Sequence, residues 1–204
     1  MPYGYLGQNT PNQTVSNSGV FSISDVASLE KQGKFGGSLE LIREETVSGV
    51  SSTNFTSIQE NIYNVHFLTV SFTETTVDTL FQLSNNGGTS YITTGYQYGV
   101  QYGSVSGTAS EDRSTNSSNL FSLGGSSAGN SKFCYTYFYN LGDSSKYSFT
   151  TTHFFGEHPT FINYYKFGGG VYPTAETHNA IRLFTTGTMT GTAKLYGVKQ
   201  LWVL

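Results

Sequence analysis

Apolar residues in this chain recur at every second position or in short runs, and Gly, Asn, Ser and Thr fill the breaks. A period of two belongs to strands, whose successive side chains point to opposite faces. Residues 38–45 (SLELIREE) place Leu39 and Leu41 on one face. Residues 62–72 (IYNVHFLTVSF) are apolar on both faces, which predicts a central strand. LFQLS at 80–84 leads through NNGG at 85–88 into TSYITTGYQY at 89–98. That pattern predicts a hairpin, because the bend holds residues that tolerate left-handed backbone. FCYTYFY at 133–139 puts Phe133, Tyr135, Tyr137 and Tyr139 on one face. NLGD at 140–143 turns the chain into KYSFTTTHFF at 146–155, and INYYKF at 162–167 follows. Gly168, Gly169 and Gly170 are expected to break the chain before two last strands, 180–184 and 191–204. Residues 103–118 and 122–131 read as long polar surface loops.

One short helix is predicted near the start. Ser22 or Ser24 caps it, Asp25 suits its first turn, Val26 and Leu29 share a face, and Gly33 stops it. Residues 1–20 carry Pro2, Pro11 and several Gly and Asn, and read as an extended N-terminal arm. Residues 21–204 then form a single domain. About eight to ten strands without long helices between them exclude a parallel βαβ plan. The expectation is an all-β, antiparallel, jelly-roll-like β-sandwich.

Composition fits that picture. The 15 Phe and 15 Tyr supply the core, each burying roughly 150–250 Å². Only 11% of residues are charged, so Ser, Thr, Asn and 24 Gly must cover the surface. Such a surface suits a protein held in an assembly. The net charge is −3 with scattered cations, which excludes nucleic acid as a main partner. A single cysteine, Cys134, gives no disulfide framework. No apolar run is long enough for a membrane-spanning helix. No basic segment precedes an apolar one at the start, so export by a signal peptide is not expected.

The candidate chemistry is thin. His153, Glu157 and His158 lack the helical spacing of a zinc protease, and His66 and His178 are distant in sequence. Glu40, Glu44, Glu45, Glu60 and Glu74 are the pool for a glycosidase pair, but adjacent carboxylates such as Glu44 and Glu45 face opposite ways on a strand. Cys134 reads as a small core residue. Asp112 and Asp143 lie in no calcium-loop pattern. No metal or other cofactor is expected. Tyr91, Tyr96, Tyr98 and Tyr102, with Asn and Gln nearby, are the candidate contact for a glycan or protein partner. Tyr3, Tyr5 and Leu6, together with Leu201, Trp202, Val203 and Leu204, are the candidate assembly contacts, since apolar ends left in water invite association.

Three stretches resemble β-rich virion proteins of marine tailed bacteriophages, cyanophages among them. They are SGVFSISDVASL (18–29), the LELI (39–42) to LFQLSNNGGTSY (80–91) region, and NAIRLFTTGTMTGTAKLYGVKQ (179–200). The resemblance covers most of the chain from Ser18, and Gly191 to Lys199 is its most specific part. It implies a tail fibre, head fibre or capsid decoration role, without catalytic residues to transfer. The implied partners are other virion proteins and further copies of the chain, a trimer being favoured by closed symmetry. Host surface glycan is a further expected partner. The implied location is the extracellular phage particle, after synthesis in the host cytoplasm. The alternatives are a carbohydrate-binding module and a polysaccharide-cleaving tail enzyme.

Overall fold

The computed structural model describes residues 38–75, 79–105, 107, 109–123, 130–157 and 164–199. The expected arm, the expected helix and both sets of candidate assembly residues (Tyr3, Tyr5, Leu6; Leu201–Leu204) lie outside these. The main compact unit spans Leu41–Val198. Of the second unit, Ser38–Glu40 and Lys199 are described; there the Lys199 N–H donates to the Ser38 carbonyl at 2.8 Å, and its ammonium pairs with Glu40 at 3.1 Å.

Ten strands are described. They are β1 (Leu39–Thr56), β2 (Val65–Glu74), β3 (Thr79–Ser84), β4 (Tyr96–Ser104), β5 (Ala109–Ser117), β6 (Leu120–Leu123), β7 (Asn130–Tyr139), β8 (Ser148–Gly156), β9 (Tyr164–Tyr172) and β10 (Ala180–Val198). The described residues contain no helix. The chain is all-β, with one hydrogen-bonded sheet ordered β5-β4-β9-β8-β7-β2-β10-β3-β6 and β1 pairing with β10. Every registered pairing is antiparallel.

The central place of β2 is as its pattern predicts, between β7 and β10. Alternation fixes which face is buried. His66, Leu68, Val70, Phe72 and Glu74 of β2 point inward, while Phe67, Thr69, Ser71 and Thr73 point out. Ala193 and Leu195 of β10 are fully buried, and Lys194 and Tyr196 lie on the other face. At Gly191 the backbones of β10 and β2 approach closely. Its φ is +144°, and a Cβ there would lie 2.1 Å from the Ser71 carbonyl oxygen.

Four expectations are corrected. The 80–98 hairpin does not form: β3 pairs with β10 and β6, and β4 with β5 and β9. A turn does form at 85–90, held by Ser84 and Asn86 side chains, but the chain then crosses over. After the crossing the Tyr96 ring is buried, with its hydroxyl accepting the Leu83 N–H at 2.8 Å. Residues 103–118 are not a loop, because 109–117 form β5 on β4. An edge strand exposed on both faces needs no apolar alternation, so its polarity was no guide. Likewise residues 120–123 and 130–131 belong to β6 and β7. Gly168–Gly170 do not end a strand; β9 runs through them. Gly168 is required there for approach, since a Cβ would lie 2.4 Å from the Gly99 oxygen. Finally, 180–184 and 191–198 are parts of one continuous strand, whose first part pairs with β3 and second with β2.

Candidate functional site

The four predicted tyrosines do not form one platform. Tyr96, Tyr98 and Tyr102 share the inward-facing side of β4, and Tyr91 sits in the connection before it. Tyr96 is fully buried, and burial pushes its hydroxyl well above the ordinary phenol range. Its ring belongs to the hydrophobic core rather than to the surface. The Tyr98 hydroxyl donates to Asp112 at 3.3 Å. Tyr102 packs beside Tyr164, with the Lys166 ammonium 5.9 Å over its ring. Tyr91 lies under the Arg182 guanidinium at 5.5 Å; burial raises its hydroxyl pKa, with Arg182 opposing.

The aromatic residues that do assemble lie on the outward face of β10, β2, β7, β8 and β9. Antiparallel register sets them in four rungs. The first reads Thr192, Ser71, Phe133, Phe155, Tyr165. The second reads Lys194, Thr69, Tyr135, His153, Phe167, and the third Tyr196, Phe67, Tyr137, Thr151, Gly169. The fourth reads Val65, Tyr139, Phe149, Val171. Ten Phe and Tyr rings and one imidazole therefore share one face. Phe133 is 57% exposed, Phe155 56%, Phe149 44% and Phe167 42%.

The rings pack on one another. Phe67 and Tyr137 have centroids 4.7 Å apart, Tyr135 stacks on His153 at 5.1 Å, and Tyr165 stacks on Phe167 at 6.3 Å. Between β10 and β8 the face dips into a depression of about 480 Å³, floored by Thr69 and Ser71 and walled by Phe133, Phe155 and Lys194. Lys194 is paired with Glu44 at 3.2 Å. The four rungs contain no carboxylate, and Lys194 and His153 are their two basic side chains.

The period-two pattern of β7 already placed Phe133, Tyr135, Tyr137 and Tyr139 together. Sequence reasoning missed Phe67, Phe149, Phe155, Tyr165, Phe167 and Tyr196 as members of the same surface. Aromatics at alternate positions in consecutive segments were the available signal, but their face depends on register.

A second depression, about 530 Å³, lies across β5, β4, β9 and β8, with Gln97, Arg113, Ser114 and Phe149 on its walls. The strongest resemblance to catalytic machinery is a Ser-His-Glu set. Ser148 Oγ lies 2.8 Å from His178 Nδ1, and His178 Nε2 lies 3.3 Å from Glu176. Ser148 and His178 are both buried, and burial holds the imidazole pKa below its ordinary value against the opposing pull of Glu176. A nucleophile must be reachable by substrate, and this serine is not. The set ties β8 to the segment entering β10. Cys134 is also buried; desolvation, and then the nearby Glu74 carboxylate, push its thiol far above the usual range. Among the described residues no three His, Cys, Asp or Glu side chains converge as a metal site.

No family model matches the chain, and no curated protein matches it.

Proposed function

We propose that this chain is a non-enzymatic structural subunit of the exterior of a tailed-phage particle, serving as capsid decoration, head fibre or tail fibre. The open aromatic face carries the reading. Monomeric proteins rarely leave so large a continuous apolar patch in water, so a face of ten rings calls for a partner. The low charge of the chain and its resemblance to marine phage virion proteins support the same conclusion. The finer fold proposed is a jelly-roll-like sandwich, in which the sheet folds over so that β3 and β6 lie across the core from β7 and β9. Support comes from Phe81 of β3 meeting Phe138 of β7, and from β6 lying against β4 and β9. The test is mass spectrometry and immunogold labelling of particles from the phage that encodes the chain. Stoichiometric presence on the surface is expected, and absence from intact particles overturns the reading.

A second reading, adhesion to host surface glycan, is favoured by the depression at Gln97, Arg113 and Phe149. Amide and guanidinium donors beside an exposed ring suit a sugar. Binding on a glycan array, lost in Phe149→Ala, is the expected result; a clean negative removes it.

A further inference from the structure

We infer that the aromatic face is where copies of this chain pack against one another. The inference rests on the assembly reading above and names the partner. Size is the first argument. Five strands at ~4.8 Å and four rungs at ~6.7 Å make a face of roughly 24 by 27 Å, roughly 650 Å². Two such faces opposed bury roughly 1,300 Å², within the range of specific, stable protein interfaces.

Charge is the second argument. A surface meeting its own copy must not place like charges against each other. The only permanent charge on the rungs, Lys194, is neutralised by Glu44 of its own chain. Its counterpart in a second copy therefore costs little. A partner with a charged docking surface would find no ion to pair with.

Ring geometry is the third. The rings lean on their neighbours at 4.7 to 6.5 Å, several of them stacked, and so present edges as well as faces outward. Edges and faces together suit the edge-to-face contacts of a second aromatic layer. A sugar chain needs open ring faces, and stacking has already covered several. Hydroxyls of Tyr135, Tyr137, Tyr139, Tyr165 and Tyr196 supply donors and acceptors that the same residues in another copy can match.

The test uses the recombinant 204-residue chain alone. Sedimentation equilibrium should return two or three times the 22.2 kDa chain mass. In Phe133→Ser/Phe155→Ser the dissociation constant should rise at least about tenfold, equivalent to about 1.4 kcal/mol. Both rings are more than half exposed, so the dissociated variant should still unfold in one cooperative transition, and its midpoint, unlike that of the associating wild type, should not depend on concentration. If that variant fails to fold, Tyr135→Ser/Phe167→Ser replaces it on the same face. Ile62→Ser, at a residue more exposed than either ring but off the rungs, should leave the mass unchanged. A wild-type chain that stays monomeric up to roughly 100 μM, or a folded face variant with wild-type affinity, overturns the inference. So does a monomer retained on an insoluble polysaccharide through the same rings. Self-association is read without particles, so its failure leaves the virion location standing, and absence from particles leaves the oligomer standing.

Discussion

Phe81 on β3 and Phe138 on β7 meet edge to face, with ring centroids 5.4 Å apart. In the sheet they are separated by β2 and β10, which in a flat sheet would hold them roughly 14 Å apart. The contact exists because the sheet curves enough to bring these two rings together. Both rings are buried. Phe138→Ala should therefore cost about 3–5 kcal/mol, the loss typical of an emptied core aromatic. Urea unfolding reads this as a lower midpoint at unchanged slope.

Lys132 and Glu74 form an ion pair with both side chains almost wholly buried. Removing one partner strands the other charge in a desolvated site, which costs about 3–5 kcal/mol. Lys132→Met should destabilise by that amount. Adding Glu74→Leu to it should recover most of the loss, since no unpaired charge remains. A double variant no more stable than Lys132→Met would show that the pair supplies more than charge balance.

His66 and His178 are fully buried, and for both, desolvation lowers the pKa below the ordinary imidazole value of 6.5. The Ile58 carbonyl, accepting from His66 Nε2 at 2.8 Å, and Glu176 beside His178 oppose that shift. Below 6.5 the unfolded chain takes up protons that the folded chain refuses. Stability is thus complete above 6.5 and falls as pH drops beneath it. Each histidine contributes up to about 1.4 kcal/mol per pH unit until its folded form also protonates. Urea midpoints between about pH 7.5 and pH 5 should show the decline, and His66→Gln should make it shallower.

Gly168→Ala places a Cβ 2.4 Å from the Gly99 oxygen and 2.7 Å from the Val100 Cα. Both are backbone atoms in the neighbouring β4, so β4 and β9 must separate. A loss of about 1–3 kcal/mol is expected from such overpacking, read by thermal melting. Gly99→Ala, with nothing within 4 Å, should be mild.

Most strands were legible because one face of each is buried, and the alternation of residues such as Leu68, Val70 and Phe72 survives in the sequence. Three things were not. β5 has little apolar face to show, so Ser110 to Ser117 looked like loop. The glycines of β9 report how near β4 comes, which is a property of the partner strand. The path after Ser84 is set by long-range pairing of β3 and β4 with other strands, and local turn chemistry at Asn85–Gly88 reads the same in a hairpin and a crossover. The candidate site was half visible. Residues 133–139 displayed their exposed face, but only register shows that Phe155, Phe167 and Tyr196 continue it. Of the tyrosines in the 91–102 segment, Tyr96 is in the core while Tyr98 lines the second depression, a difference that clustering in sequence does not reveal.

β10 is the last of the ten described strands to be synthesised, yet it lies between β2 and β3 and also receives β1. Its partners lie far upstream in both registers: Leu195 pairs with Leu68 and Ile181 with Leu83. The emerging polypeptide cannot complete its sheet until β10 leaves the ribosome. Contacts of such long sequence separation make folding slow, and until then β2 and β3 offer unpaired edges to any neighbouring nascent chain.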